Sequence, residues 1–199
     1  MLATVRLLSP LGWALSPTRR IIDLLKEGDG EHRGRALRRW SVGLFAVEVV
    51  GLLALSMLWT IPPSRALGFI SLLLLIYSAS RINEIAYAFV RDPLSSLKES
   101  DLSSVDRIKM AMRSYFGLAF NFAVVFYALP IPSLFKDELS SFFEAFYFSG
   151  VTLATLGYGD ILPLHWVARA LALYEVATGI LIVAVAIATY ISGVKASDA

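Results

Sequence analysis

The sequence predicts an all-α membrane protein that crosses the bilayer several times. Hydrophobic residues make up 57% of the 199 residues and charged residues only 17%, whereas a soluble domain has about 25% charged residues. The apolar residues are also gathered into long runs, and roughly 20 apolar residues are what a helix needs to cross a membrane. Composition and pattern therefore both favour a helical membrane protein over a soluble domain.

Four segments are apolar enough to be predicted as transmembrane helices. They lie at about 41–59, 66–90, 114–129 and 166–192. Before the first of them, the segment SPTRRIIDLLKEG at 16–28 predicts a short amphipathic helix, because one face is apolar and the other is charged. That helix would lie in the membrane interface or pack on the cytoplasmic side of the protein itself.

A polar segment, RDPLSSLKESDLSSVDRIKMAMR, divides the four spans into two pairs. We therefore expect a cytoplasmic N-terminal segment with the amphipathic helix, a two-helix transmembrane hairpin, a cytoplasmic linker, a second module and a short cytoplasmic tail. Their ranges are 1–40, 41–90, 91–113, 114–193 and 194–199.

The distribution of lysine and arginine predicts the orientation. The N-terminal segment and the linker are rich in both, whereas the loops on the other side carry only Arg65 and Lys136. Because basic loops stay in the cytoplasm, both termini should be cytoplasmic. The formal net charge of +2 is too small to indicate a nucleic-acid partner.

The segment LSSFFEAFYFSGVTLATLGYGDILPL lies between the third and fourth spans and predicts a re-entrant helix. Ser141 and Glu144 have the spacing of a capping box, which places a helix at about 141–153. At 1.5 Å per residue this helix is about 18 Å long and reaches only partway into the bilayer. Its C-terminal end carries partial negative charge, which favours a nearby cation.

The loop after this helix has the composition of an ion-binding backbone. Irregular backbone at membrane depth is tolerated only where it is buried in protein or lines a watery path. Gly157 and Gly159 alternate with larger residues, and glycine can adopt the positive φ that turns successive carbonyls to one side. Such a row of carbonyls, extended by the Thr155 hydroxyl, can replace the hydration shell of an alkali cation.

With its preceding helix and following span, TLGYGD resembles the pore domain of potassium channels, whose signature is TVGYG. The resemblance covers about residues 113 to 193. It implies four transmembrane helices, a re-entrant pore helix and a selectivity-filter loop in a tetrameric pore, with K⁺ at the filter carbonyls and the Thr155 hydroxyl. The filter residues would be Thr155, Leu156, Gly157, Tyr158 and Gly159. Leu156 stands where valine or isoleucine is usual, which bears on conductance and filter stability more than on selectivity.

The resemblance also implies residues that support the filter. Asp160 matches the aspartate behind the filter mouth, and Tyr147 occupies the place of its aromatic partner, so a phenol–carboxylate hydrogen bond is expected. The alternative is an Asp160 that is solvated at the mouth. Val151 stands where some bacterial members have a glutamate, so that carboxyl pair should be absent.

The fourth span would be the inner helix that lines the pore. Gly179 lies where the family places a hinge glycine, although close helix packing explains a glycine there equally well. By the same alignment, Ile180, Val183 and Ile187 would face the cavity, and Ile187 and Ile191 the inner constriction.

Ionisable residues inside spans mark functional or structural contacts. Glu175 should point away from the cavity towards Ser149 or Thr152, in a structural hydrogen bond rather than as a proton sensor. Glu48 and Arg81 lie at matching depths in the first two spans and are predicted to pair.

Asn121, in the middle of the third span, should make an interhelical hydrogen bond. The sequence shows no catalytic constellation, so no enzymatic activity is expected, and no cofactor is expected beyond K⁺ as the permeant ion.

The predicted function is passive, potassium-selective conduction through a homotetramer in a plasma membrane, of the prokaryotic inner-membrane type, with lipid as the other partner. Three alternatives remain: a less selective monovalent cation channel, a potassium transporter subunit, and a non-conducting accessory subunit. The transporter class strings four such units along one chain, and this chain has one.

Overall fold

The computed structural model describes residues 30–58, 65–94 and 102–197. The predicted amphipathic helix at 16–28 lies outside these ranges. Within them the chain forms five α-helices and one isolated antiparallel bridge between Phe135 and Pro163, which confirms the all-α class. The helices are α1 (Gly30–Leu58), α2 (Arg65–Leu94), α3 (Ser104–Ala128), α4 (Phe142–Leu153) and α5 (Trp166–Ser197).

Two helices are long and apolar enough to cross a membrane by length and composition, with candidate spans at Gly68–Val90 in α2 and Trp166–Ser192 in α5. The described parts of α1 and α3 do not reach the same apolar character. Both helices agree with a helical membrane protein, and a count of four spans is a proposal.

Helix α3 begins at Ser104, inside the segment that the sequence assigns to a linker over 91–113. Its N-cap is Ser103, whose Oγ accepts a hydrogen bond from the Asp106 amide at 3.1 Å and donates to the Asp106 carboxylate at 3.0 Å. The serine hydroxyl, with a smaller contribution from Arg38, holds the pKa of Asp106 below its ordinary value. The predicted linker is too long, because the first turns of this helix are polar. Polar residues that extend a helix beyond its apolar part have the composition of a loop.

Helix α3 is the centre of the fold and packs against each of the other four helices. Helix α2 also contacts α5, and α4 contacts both α5 and α1. Within the described ranges α1 and α2 make no close backbone approach to each other, and the two-helix hairpin at 41–90 stays a prediction. Each of the two helices packs on α3, since α3 offers the continuous buried surface at 117–126.

Three phenylalanines hold the short helix α4 to α3 and to the loop between them. The rings of Phe126, Phe135 and Phe148 come from α3, the loop and α4, and their centroids are 5.8, 5.0 and 5.1 Å apart in edge-to-face arrangements. Such aromatic pairs contribute about 0.5–1.5 kcal/mol each beyond their buried area. This cluster fixes where α4 enters the protein.

The same loop pairs with the segment that follows residues 155–159. The Lys136 amide donates to the Leu162 carbonyl at 2.9 Å, and the Leu164 amide donates to the Leu134 carbonyl at 3.0 Å. Both ends of the 155–159 loop are therefore anchored, one by α4 and the other by this pairing.

Candidate functional site

Helix α4 begins with the capping box that the sequence predicts. Ser141 is the N-cap, and its Oγ accepts a hydrogen bond from the Glu144 amide at 3.2 Å. The Glu144 carboxylate accepts in return from the Ser140 amide at 2.6 Å, one residue earlier than the usual partner. The helix covers Phe142–Leu153, in agreement with the predicted 141–153.

The C-terminal end of α4 is closed by one side chain that sequence reasoning missed. The Tyr115 hydroxyl, from α3, donates to the Leu153 carbonyl at 3.0 Å. The amides of Thr155 and Leu156 then donate to the carbonyls of Thr152 and Val151 at 2.9 and 3.0 Å. The backbone therefore leaves the helix in a defined direction at Leu156.

The backbone of the loop alternates between two conformations. Thr155, Gly157 and Gly159 have φ values of 57°, 55° and 77°, whereas Leu156 and Tyr158 between them are not in the positive-φ region. Alternation of left-handed and ordinary residues turns successive carbonyls to the same side, which is the arrangement that can coordinate a cation. A left-handed threonine is strained, and such strain is concentrated at functional sites.

No donor in the described part of the chain reaches the carbonyls of 155–159. The side chains of Leu156 and Tyr158 are 58% and 66% exposed in the single chain. The loop thus presents unsatisfied carbonyl oxygens and has no partner of its own to cover it.

Asp160 and Tyr147 meet behind this loop. Tyr147 lies close enough to Asp160 for the carboxylate to act on the phenol, and the hydrogen bond between them stays a prediction. Asp160 Oδ1 also accepts a hydrogen bond from the Ile161 amide at 3.1 Å. The neighbouring Val151 contributes only its carbonyl to the loop, through the bond to Leu156.

Glu175 is fully buried between α3, α4 and α5. Its Oε1 makes a short hydrogen bond with Ser149 Oγ, and the same hydroxyl lies 2.8 Å from the Ala119 carbonyl. Of the two predicted neighbours, Ser149 is the one found and Thr152 is not. Glu175 thereby links α5 to the back of α4, while its role in supporting a filter stays a prediction.

Gly179 lies against the end of α4. A Cβ at Gly179 would overlap the Leu153 side chain, so the glycine lets α5 approach α4 closely. This contact favours the packing explanation, and a hinge at Gly179 stays a prediction. The four predicted pore-facing residues are all exposed in the single chain and share one face of α5: Ile180, Val183, Ile187 and Ile191.

The predicted pair of Glu48 and Arg81 is confirmed, with Arg81 Nη2 3.5 Å from Glu48 Oε1. Arg81 Nη1 lies closer still to Glu84 Oε2, at 2.7 Å. Asn121 makes the expected interhelical hydrogen bond, from its Nδ2 to Glu48 Oε1 at 3.1 Å. The i,i+3 spacing of Arg81 and Glu84 was the signal for their ion pair.

The short helix α4 thus ends at the 155–159 loop and packs between the two longer helices α3 and α5. Residues 114–195 match the model of a family described as "Ion channel". This match confirms the predicted pore-domain resemblance of the segment.

Two characterised proteins are similar to parts of the chain. "Two-pore potassium channel 4" of Arabidopsis thaliana is 43% identical over 53 residues, which cover 24% of this chain and 19% of that protein. "Protein LctB" of Bacillus caldotenax is 34% identical over 83 residues, which cover 35% of this chain and 62% of that protein. The chain thus spans less than two thirds of the length of either relative. No solved structure matches it significantly.

Proposed function

We propose that the chain is the subunit of a potassium-selective channel that conducts K⁺ passively across a membrane. The observation that carries the proposal is the left-handed φ at Thr155, Gly157 and Gly159, combined with carbonyls that no group in the described chain satisfies. The printed name of the plant relative, a potassium channel, agrees with the choice of ion.

The proposed mechanism uses backbone more than side chains. Carbonyls of 155–159 and the Thr155 hydroxyl replace the water around a K⁺ ion, so that the ion enters without a large loss of solvation. The C-terminal end of α4 adds partial negative charge on the inner side of the loop. Binding at several similar sites in a row keeps each site weak enough for the ion to move on.

A homotetramer is part of the proposal because one loop cannot surround an ion. Leu156, Tyr158 and the inner-helix face at Ile180 are exposed in the single chain, and a fourfold arrangement would place them at subunit contacts or along the pore. Four copies of the loop would supply rings of four carbonyls each.

The proposed setting is a plasma membrane of the prokaryotic inner-membrane type, crossed four times with both termini in the cytoplasm. Apolar side chains of α1 and α2, among them Val50 and Phe69, are exposed in the single chain and suit contact with lipid. The basic residues before the first span agree with this orientation.

The test is K⁺ flux into proteoliposomes, with Na⁺ as the competing ion and Ba²⁺ as a blocker. Gly157→Ala places a side chain at φ 55°, which costs about 1–2 kcal/mol per chain. We expect the variant to lose K⁺ flux by about tenfold or more, which corresponds to 1.4 kcal/mol. Gly68→Ala, where a Cβ meets nothing within 4 Å, is the matched control and should conduct like the wild type.

The filter assignment and two of the alternatives each have their own outcome in this assay. Equal K⁺ flux through wild type and Gly157→Ala would refute the filter assignment. Equal Na⁺ and K⁺ flux identifies a less selective cation channel, and absence of flux from folded protein identifies an accessory subunit.

A further inference from the structure

A buried polar cluster lies away from the 155–159 loop, where α1, α2 and α3 meet. It consists of Glu48, Arg81, Glu84 and Asn121, which are 1%, 5%, 3% and 0% exposed. Two carboxyl groups face one guanidinium, so the cluster would carry one excess negative charge if both acids were ionised. An uncompensated charge in a buried site costs several kcal/mol. The favourable state has one neutral carboxyl group.

The distances indicate which acid keeps its charge. Glu84 Oε2 lies 2.7 Å from the Arg81 guanidinium, whereas the nearest oxygen of Glu48 lies 3.5 Å away. Because Coulomb attraction weakens with distance, the guanidinium stabilises the negative charge of Glu84 more than that of Glu48. Glu84 is therefore the ionised partner of Arg81.

The hydrogen bonds of Asn121 point to a proton on Glu48. Asn121 Nδ2 uses its two hydrogens on the Gly117 carbonyl, at 2.7 Å, and on Glu48 Oε1, at 3.1 Å. An amide oxygen in that place would meet the Gly117 carbonyl oxygen at 2.7 Å and repel it, which fixes the orientation of the amide. Asn121 Oδ1 is then left buried, and no donor in the described part of the chain reaches it.

A protonated Glu48 resolves this deficit, because a neutral carboxyl group has one donor and one acceptor while a carboxylate only accepts. The acid can accept from the amide nitrogen and donate to the amide oxygen of the same side chain. Gly117 makes room for this pair, since a Cβ there would overlap the Glu48 carboxyl group.

We propose that Glu48 is a neutral carboxylic acid paired with Asn121, and that this proton-binding site holds helix α1 on helix α3 of the pore domain. The titratable groups that face Glu48 are Arg81, Glu84 and Tyr77, all from α2. From α3 it meets Gly117 and Asn121, which do not titrate. The other buried acid, Glu175 of α5, faces Ser149 instead.

The proposal has a defined dependence on pH. The folded protein holds a proton on Glu48 that the unfolded chain has already released near neutral pH, since an ordinary glutamate loses it at about 4.3. Stability therefore falls as pH rises. Loss of the proton would leave Asn121 Oδ1 without a donor and the cluster with an excess negative charge, so α1 would be held less firmly.

Two glutamine substitutions test the assignment, with the thermal midpoint of the purified full chain in lipid nanodiscs as the readout. Glu48→Gln keeps one donor and one acceptor, so we expect a midpoint like that of the wild type at mildly acidic pH. We also expect it to remove a fall in midpoint that the wild type shows at alkaline pH. Glu84→Gln takes the charge partner from Arg81 and should lower the midpoint at both pH values.

The proposal is overturned if Glu48→Gln lowers the midpoint as much as Glu84→Gln does, because Glu48 would then be the ionised acid. Infrared spectra give a second readout that does not need the Glu84 variant to fold. The wild-type minus Glu48→Gln difference should contain the carbonyl band of a protonated acid, and its absence would also overturn the proposal. Neither readout involves ion flux, so failure here is distinguishable from failure of the proposed function.

Discussion

Positive φ in the 155–159 loop has a different steric cost for glycine than for threonine. Gly157 and Gly159 adopt positive φ without a steric penalty, whereas Thr155 adopts it at a cost of about 1–2 kcal/mol. The hydrogen bond from its amide to the Thr152 carbonyl helps to hold it there. A threonine in this position is explained if its hydroxyl is used, which agrees with the proposed role as an ion ligand.

Gly179→Ala tests the contact between α5 and α4. The new methyl group would overlap Leu153, which is buried. Overpacking costs about 1–3 kcal/mol, and alanine returns about 1 kcal/mol of helix propensity, so we expect a net loss of up to about 2 kcal/mol. The measurement is the thermal midpoint of the purified protein.

Gly43→Ala is the matched control, because a Cβ at Gly43 in α1 meets nothing within 4 Å. The double variant Gly179→Ala with Leu153→Ala should show less loss than the sum of its two single variants. If Gly179→Ala and Gly43→Ala had the same midpoint, close packing would not explain this glycine.

Side-chain partners were predictable from sequence where spacing or matching depth limits the choice. The pair Glu48–Arg81, at matching depths in two predicted spans, belongs to this group. The bond from Tyr115 to the Leu153 carbonyl was not predictable. Its acceptor is a backbone group 38 residues away, and nothing in the sequence distinguishes that carbonyl from others in α4.

Helix α4 begins with an N-cap at Ser141, and the contribution of this cap to stability can be tested separately. Ser141→Ala removes the acceptor for the Glu144 amide, and loss of an N-cap costs about 1 kcal/mol. Ser140→Ala is the control, because Ser140 contributes its backbone amide to the cap and retains it as alanine. We expect a lower thermal midpoint for Ser141→Ala only, and equal midpoints for both variants would contradict the capping account.

The bounds of α4 were predicted within one residue because a cap is encoded by residues next to the helix end. The starts of α1 and α3, at Gly30 and Ser104, lie about ten residues before the predicted spans. Hydropathy detects only the part of a helix that suits a membrane, whereas α3 extends beyond it through a polar turn that Ser103 caps. The Ser-x-x-Asp spacing at 103–106 is the local signal for this helix start, inside the segment predicted as a linker.

In the described ranges the helices are organised around α3, and α1 and α2 each pack their backbones against α3, while the contact between them is the Glu48–Arg81 side-chain pair. Helix α2 also reaches α5, where the Tyr174 hydroxyl donates to Asn83 Oδ1 at 3.0 Å. The number of helices in the described ranges could be predicted from apolar runs. Their arrangement could not, because several lipid-compatible helices can pack in more than one order.

Selective conduction of K⁺ is tested most directly by the reversal potential of the reconstituted protein in a planar bilayer. K⁺ is placed on one side and Na⁺ at equal concentration on the other. The proposed filter predicts a current that reverses far from zero, at the sign that marks K⁺ as the more permeant ion. A reversal at zero would contradict the account.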